Sequence, residues 1–183
     1  MDIARALAII PKVLLLDEPF SNLDKLLSEK LFSFVVNEVK KNRTSVILIT
    51  HRADEALKYA DTLAVIDDGK IIQSGKKWDI YYQPKSSRLA GLLGDFNIIK
   101  KEDLVKKVSK KVKSKLFLRP DKLTLSSSKS DADLFLTILN CSFNGKCFEV
   151  LGETKNGNSI LVYLDKALST NKNFGFTIEN YPT

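Results

Sequence analysis

Residues that build disulfide scaffolds and zinc sites are scarce in this sequence. Its 183 residues include two cysteines, Cys141 and Cys147, and one histidine, His51. Two cysteines are too few for a disulfide framework, and the three side chains together cannot supply the usual four cysteine and histidine ligands of zinc. We therefore expect two reduced thiols that are buried or half-buried.

Long apolar runs are missing as well. The longest runs, such as residues 13–16, are far shorter than the roughly 18 residues that a membrane-spanning helix needs. The apolar segment 4–16 is interrupted by Arg5 and Pro11 and is not followed by a small-residue cleavage site, so it does not match a signal peptide. The sequence predicts a mature chain that starts at Met1, is cytoplasmic and does not cross a bilayer.

Excess positive charge is confined to one segment. The net charge is +7, but residues 100–129 alone hold 11 Lys or Arg against 3 Asp or Glu, so the rest of the chain is almost neutral. The lysines between 106 and 115 surround only valines, without the aromatic side chains on which bases stack. We interpret residues 98–115 as a basic linker and expect no nucleic-acid partner. Nucleic-acid binding is thus the weakest of three hypotheses of function.

The chain up to about residue 95 alternates short apolar runs with amphipathic segments. This order is typical of β–α units around a parallel sheet. The Asp-Gly pair at residues 68–69, between two apolar runs, predicts a tight hairpin turn. The predicted strands are 13–16 and 45–50, both fully buried, followed by 63–66 and 71–74, and the predicted helices are 25–42, 53–59, 77–83 and 86–93.

The rest of the chain lacks long helices and consists of apolar runs separated by turn residues. Serine-rich and Asn-Gly turns between these runs predict a small β-barrel or sandwich. The predicted strands are 116–118, 123–125, 134–143, 146–152 and 159–164. The predicted core side chains are Phe135, Leu139, Phe143, Val150 and Val162.

Two adjacent carboxylates, Asp17 and Glu18, follow the apolar strand 13–16 directly. The carboxyl ends of parallel strands are where open α/β sheets bind ligands. In a nucleotide hydrolase the first carboxylate can hold Mg²⁺ and the second can orient or deprotonate the attacking water. The alternative is a strand that runs into an acidic, solvated loop, and the pair alone does not decide between the two.

The only histidine, His51, follows the next apolar strand, at residues 46–49. This position predicts that His51 lies at the same edge of the sheet as Asp17 and Glu18, where an imidazole could hydrogen-bond a phosphate oxygen. A lone histidine is more often a structural or surface group. Its place beside a carboxylate pair favours a functional role.

Several ordered motifs resemble those of ATP-binding subunits of ATP-binding cassette (ABC) transporters. Residues 14–19 look like the Walker B strand with its catalytic glutamate, residues 21–24 like the D-loop, and residues 49–51 like the switch-histidine loop. The resemblance implies that Asp17 holds Mg²⁺, Glu18 polarises the attacking water, His51 contacts the γ-phosphate, and Asp24 communicates across a dimer of such subunits. Similar motifs continue at residues 3–7, 68–75, 79–84, 94–97 and 118–121, the last of them resembling the opening of the oligonucleotide-binding (OB) type domain of importers.

The departures from this family pattern are also informative. No G-x-x-x-x-G-K-[ST] phosphate loop occurs in the 183 residues, nor do the glutamine loop and the signature motif, and Arg52 replaces the acidic residue common after the switch histidine. The sequence therefore resembles the C-terminal half of such a subunit. We predict a nucleotide-binding part at 1–97, the linker at 98–115 and a TOBE-type β-rich domain at 116–183.

The predicted fold class is α/β, with a partial parallel sheet of the P-loop NTPase type followed by a small all-β, OB-like barrel. The resemblance implies ATP and Mg²⁺, used only when the missing N-terminal half is supplied. It also implies a second ATP-binding subunit and transmembrane permease subunits as partners, at the inner face of the cell membrane. The alternative hypothesis is a non-catalytic regulatory or docking module derived from such a subunit.

Overall fold

The computed structural model describes residues 2–110, 112 and 114–179. Met1, Lys111, Lys113 and residues 180–183 of the predicted β-rich domain lie outside the described residues, as do the side chains of Asp2, Lys106 and Lys107. The chain divides into two compact units, Met1–Leu63 and Ala64–Thr183. No described helix is long and apolar enough to cross a membrane.

The first unit is built on a parallel strand pair joined by a helix. The two strands are in register from Val13 opposite Ser45 to Asp17 opposite Ile49, so their carboxyl ends lie at one edge. The predicted strand–helix–strand order is therefore confirmed. The elements are α1 Asp2–Ala8, β1 Val13–Asp17, α2 Lys25–Lys41, β2 Ser45–Ile49 and α3 Ala53–Tyr59.

The strand β1 buries one face and exposes the other, and β2 has no fully buried residue. On the buried face, Leu14 and Leu16 pack in a cluster with side chains of α2, among them Phe32 and Val35. On the other face, Leu15 is 70% exposed. The prediction that both strands are fully buried is wrong for the described structure, because α2 covers only one side of the pair. Other exposed apolar side chains of the two strands are Val13, Val46, Ile47 and Ile49.

A hairpin, whose first strand begins with the last two residues of the first unit, and two short helices precede the β-rich part of the second unit. Asp68 and Gly69 at the hairpin turn have φ angles of 48° and 70°. Positive φ at both central residues is the type I′ arrangement that matches strand twist, so the predicted turn is confirmed. The elements are β3 Thr62–Asp67, β4 Lys70–Lys76, α4 Lys77–Tyr82 and α5 Ser87–Leu92.

Five antiparallel strands form a nearly closed barrel in the second unit. The strands are β7 Leu123–Leu125, β8 Leu134–Phe143, β9 Phe148–Glu153, β10 Ser159–Leu164 and β11 Asn173–Ile178. Their spatial order is β10-β9-β8-β11-β7, and Cα atoms of the outer strands β7 and β10 approach within 8 Å. This is the α/β fold with an OB-like barrel that the sequence predicted. Sequence analysis had not identified β11.

The barrel core differs from the predicted one along β8. Leu134, Leu136 and Ile138 are fully buried, whereas Leu139 is 46% and Phe143 62% exposed. Side chains alternate between the two faces of a strand, and the register of β8 against β9 shifts between Ile138 and Asn140. The choice of Leu139 and Phe143 as core residues was therefore wrong. Phe135 is only half-buried, and the predictions for Val150 and Val162 are confirmed.

Residues 98–115 contribute side chains to the core of the second unit. The strands β5 Asn97–Lys100 and β6 Lys115–Leu118 pair antiparallel, and between them lie a 3₁₀ turn at Lys101–Asp103 and helix α6 Lys106–Ser109. The apolar residues Ile99, Leu104, Val108 and Val112 belong to the barrel cluster. The division into 1–97, 98–115 and 116–183 stays a prediction, but part of this basic segment is buried.

A buried arginine joins the helices of the second unit to its strands. Arg119, which is 2% exposed, donates hydrogen bonds to the backbone carbonyls of Tyr81, Ala90, Gly94 and Asp95 at 2.8–3.1 Å. Its guanidinium also lies 4.0 Å from the centre of the Tyr81 ring. Burial lowers the pKa of Arg119 and raises that of the Tyr81 phenol.

Candidate functional site

The two predicted carboxylates lie at the carboxyl end of β1. Asp17 is its last residue and is opposite Ile49 of β2, whose carbonyl accepts a hydrogen bond from the Glu18 backbone N–H at 2.9 Å. Glu18 has a left-handed φ of 42°, which turns the chain away from the strand. The Glu18 carbonyl then accepts hydrogen bonds from the N–H and the hydroxyl of Ser21. This turn places both carboxylates at the solvent-exposed edge.

His51 and Glu18 are in direct contact. The distance between His51 Nδ1 and Glu18 Oε1 is 2.9 Å, and the side chains are 65% and 45% exposed. The parallel register brings the ends of β1 and β2 together, as the sequence order predicted for this pair of residues. A proton on Nδ1 would be donated to the carboxylate, which leaves Nε2 to bind another group.

Asp24 is engaged in a different interaction. Its carboxylate accepts a hydrogen bond from the backbone N–H of Leu27 at 3.0 Å and so caps the first turn of α2. No hydrogen bond from Asp24 to Glu18 or His51 occurs among the described residues. The structure therefore brings Glu18 and His51 together, with Asp17 adjacent, and fixes Asp24 at the start of the helix.

A fifth polar side chain, Glu55, contacts the residues on both sides of His51. This α3 residue is only 7% exposed. Its carboxylate accepts hydrogen bonds from the hydroxyls of Thr50 and Ser28 and forms an ion pair with Arg52 at 2.8 Å. Sequence reasoning missed Glu55. The available signal was a glutamate in the first turn of a helix, three residues after a basic residue and four after the only histidine.

The oxygen donors at the end of β1 fit Mg²⁺. Asp17 is exposed and ends a strand beside Glu18, and hard carboxylate oxygens are the ligands that Mg²⁺ takes, often one or two of them together with phosphates and water. Within the described part of the chain, no group of three or more His, Cys, Asp or Glu side chains could hold a metal ion. A carboxylate site completed by a bound phosphate is consistent with both observations.

A parallel strand–helix–strand unit with carboxylates and a histidine at its strand ends is typical of α/β proteins that bind ligands at that edge. The relatives specify the class further. The chain is 34% identical over 157 residues to the Fe(3+) ions import ATP-binding protein FbpC 2 of Pectobacterium atrosepticum, a match that covers 78% of this chain and 45% of that protein. It is 33% identical to the Fe(3+) ions import ATP-binding protein FbpC of Pseudomonas fluorescens, covering 88% and 51%.

A third relative carries a different solute in its name. The chain is 35% identical to the sulfate/thiosulfate import ATP-binding protein CysA of Mesostigma viride, covering 78% of this chain and 44% of the relative. No family model matches the sequence. The homologues of this chain are therefore ATP-binding subunits of ABC importers. It spans about half the length of the curated relatives it matches.

Proposed function

We propose that this chain forms part of the ATP-hydrolysing subunit of an ABC importer and that Glu18 and His51 act in hydrolysis. The observation that carries the proposal is the 2.9 Å contact between these side chains at the ends of two parallel strands. A carboxylate and an imidazole in contact can together orient water and stabilise charge on a phosphoryl group.

Each residue has one task in this proposal. Glu18 polarises the attacking water or accepts its proton, while His51 uses its other ring nitrogen to contact an oxygen of the γ-phosphate. Asp17 holds Mg²⁺, which when bound neutralises developing charge on the phosphate oxygens. Asp24, which caps α2, communicates across the interface between two such subunits.

The partners follow from the same proposal. The chain works with a second ATP-binding subunit and with transmembrane permease subunits at the cytoplasmic face of the membrane. A polypeptide segment with a phosphate loop has to contribute to the site, because the 183 residues contain none. The relatives' names include both Fe(3+) ions and sulfate or thiosulfate, so the proposal is solute import without a chosen solute.

The test is to assay ATPase activity with a complementary segment that carries the phosphate loop and signature motif of a relative. The Glu18→Gln substitution keeps the shape and removes the charge, so turnover should fall on the order of 10²- to 10⁴-fold while ATP binding persists. Glu29→Gln is the matched control, because Glu29 lies on α2 and pairs only with Lys58 among the described contacts. Near-normal turnover of the Glu18→Gln complex would refute the assigned role.

A second candidate function is a docking or regulatory module without hydrolysis. The two candidates differ in calorimetry with Mg-ATP. Both predict no tight binding by the chain alone, because the oriented N–H donors and the lysine of the loop are missing. Only the first predicts binding and turnover when the complementary segment is added.

A further inference from the structure

We infer that Glu55 is a positioning residue that holds His51 against Glu18, with Arg52 as its charge partner. The structural claim concerns the histidine loop, defined as Thr50, His51 and Arg52. Its consequence for hydrolysis rests on the proposed function. The exposed contact between His51 and Glu18 is in itself a weak constraint, because solvent screens the pair and both side chains have rotational freedom. A more buried interaction is therefore needed to fix the conformation of the histidine loop.

Glu55 meets this requirement by its hydrogen bonds to Thr50. The Thr50 hydroxyl donates to Glu55 Oε2 at 2.9 Å and accepts from the backbone N–H of Arg52 at 3.1 Å. One hydroxyl thus joins the residues on both sides of His51, and the buried carboxylate fixes the hydroxyl. Glu55 thus holds the main chain on both sides of His51, although it touches neither Glu18 nor the imidazole in any described contact.

Arg52 stabilises the buried carboxylate of Glu55 by an ion pair. An ionised carboxylate that is nearly buried is costly unless it is paired and hydrogen-bonded. Arg52 Nη1 lies 2.8 Å from Glu55 Oε1, and Arg52 Nη2 lies 3.3 Å from Asp54 Oδ2. This pairing depends on arginine at position 52, where the family pattern has an acidic residue. An acidic side chain there would repel Glu55, so this arrangement is a feature of this chain.

Glu55 also connects the histidine loop to the helix that follows the carboxylates. The Ser28 hydroxyl, which is buried in α2, donates to Glu55 Oε1 at 3.4 Å. Ser28 also donates its backbone N–H to the carbonyl of Asp24, the residue that caps this helix. The same carboxylate therefore contacts both segments that flank the candidate site, the start of α2 and the loop after β2.

The experiment uses the fact that His51 is the only histidine. Its two ring nitrogens give one pair of ¹⁵N resonances in the full chain, and in the neutral ring their shifts report which nitrogen carries the proton. Contact with Glu18 favours the proton on Nδ1, whereas a solvated imidazole favours Nε2. We expect the Nδ1–H form in the parent chain and a shift toward Nε2–H in Glu18→Ala.

Glu55→Gln should shift the tautomer toward Nε2–H, although residue 55 touches no atom of the ring in the described contacts. Glu55→Asp keeps the carboxylate and should restore part of the parent signal. Asp54→Asn is the matched control, since it removes a neighbouring carboxylate of Arg52 without touching Thr50, and it should keep the parent tautomer. An unchanged tautomer in folded Glu55→Gln, or an Nε2–H form in the parent chain, would overturn the inference.

A second pair of variants decides the question if Glu55→Gln does not fold. Thr50→Val removes the hydroxyl at nearly constant volume and should shift the tautomer, whereas Thr50→Ser keeps the hydroxyl and should not. Equal spectra for the two would refute the positioning role. The readout needs no nucleotide. A complemented ATPase that is inactive while the tautomer results hold would therefore contradict the proposed function and leave this inference standing.

Discussion

The two units bury their strands to different extents. Leu15 in β1 of the first unit is 70% exposed, whereas Leu136 in β8 of the second unit is fully buried. Both are leucines in regular strands. The difference is that the five-strand sheet curls until its outer strands approach each other, while the helices of the described residues pack on one face of the parallel pair only. The apolar residues of a strand therefore set how much surface the strand can bury. The elements packed around the strand decide how much of that surface is buried.

The largest expected effect comes from cutting the chain between Ala60 and Asp61, which keeps β3 whole and attached to the second unit. Residues 61–183 should fold alone and give a well-dispersed amide spectrum, because the barrel encloses its own core. Residues 1–60 should aggregate or stay unfolded, because the open apolar face and the unpaired strand edges favour association. A soluble, well-dispersed monomer of residues 1–60 would show that the comparison between the units is mistaken.

Within the barrel, two phenylalanines sharpen the comparison. Phe176 is fully buried and Phe143 is 62% exposed. Phe176→Ala should lower the free energy of unfolding by about 3–5 kcal/mol, because it leaves a cavity. Phe143→Ala loses a ring contact with Phe148 and should cost about 1 kcal/mol or less. Denaturant unfolding of residues 61–183 measures both. Similar losses for the two variants would mean that the exposed end of β8 is buried in solution.

Arg119 tests how the helices α4 and α5 depend on the strands. Arg119→Met keeps much of the apolar stem and removes the donors to four carbonyls, so the free energy of unfolding should fall by roughly 2–3 kcal/mol. Arg119→Lys should restore little, because an ammonium lacks the planar set of donors. Equilibrium unfolding and hydrogen exchange at residues 87–95 provide the measurement. Full stability in Arg119→Lys would contradict the requirement for a guanidinium.

The smallest effect concerns the edge of the barrel at high pH. Burial and a hydrogen bond of the Tyr163 hydroxyl to Asp95 raise the pKa of this phenol above its ordinary value of about 10. The unfolded chain then ionises first, so the stability contribution is present below about pH 10 and is lost as the pH rises further. Relative to Tyr163→Phe, the parent chain should lose unfolding free energy only in that range. A constant difference between the two across the alkaline range would refute this.

Secondary structure was predictable where the spacing of apolar residues agreed with the positions of turn residues at the ends of the elements. Helix 53–59 and the strands 123–125, 134–143 and 159–164 have the predicted bounds. The strand β11 was missed although Phe174, Phe176 and Ile178 alternate, because Gly175 interrupts the pattern. That glycine is required by packing, since a Cβ there would lie 2.7 Å from Cβ of Ala132.

Other features depended on tertiary contacts that no local pattern encodes. The lysines around Ile99 and Val108 hid the fact that these apolar side chains belong to the barrel core. Both alternating faces of β8 carry apolar side chains, and contacts with the rest of the barrel decide that Leu136 and Ile138, rather than Leu139, lie in the core. At the candidate site, the meeting of Glu18 and His51 followed from strand order, whereas Glu55 could be found only from its burial and from the three side chains that contact it.

The left-handed backbone at Glu18 has a consequence for how this chain would evolve. A non-glycine residue at a φ of 42° is disfavoured by roughly 1–2 kcal/mol, a cost that glycine avoids and asparagine reduces. Laboratory evolution for heat resistance alone should therefore recover glycine or asparagine at position 18 and discard the carboxylate. If Glu18 acts in hydrolysis as proposed, evolution that also demands solute uptake should keep the glutamate. The identity of residue 18 in the surviving variants would therefore distinguish selection for thermal stability alone from selection that also requires the proposed activity.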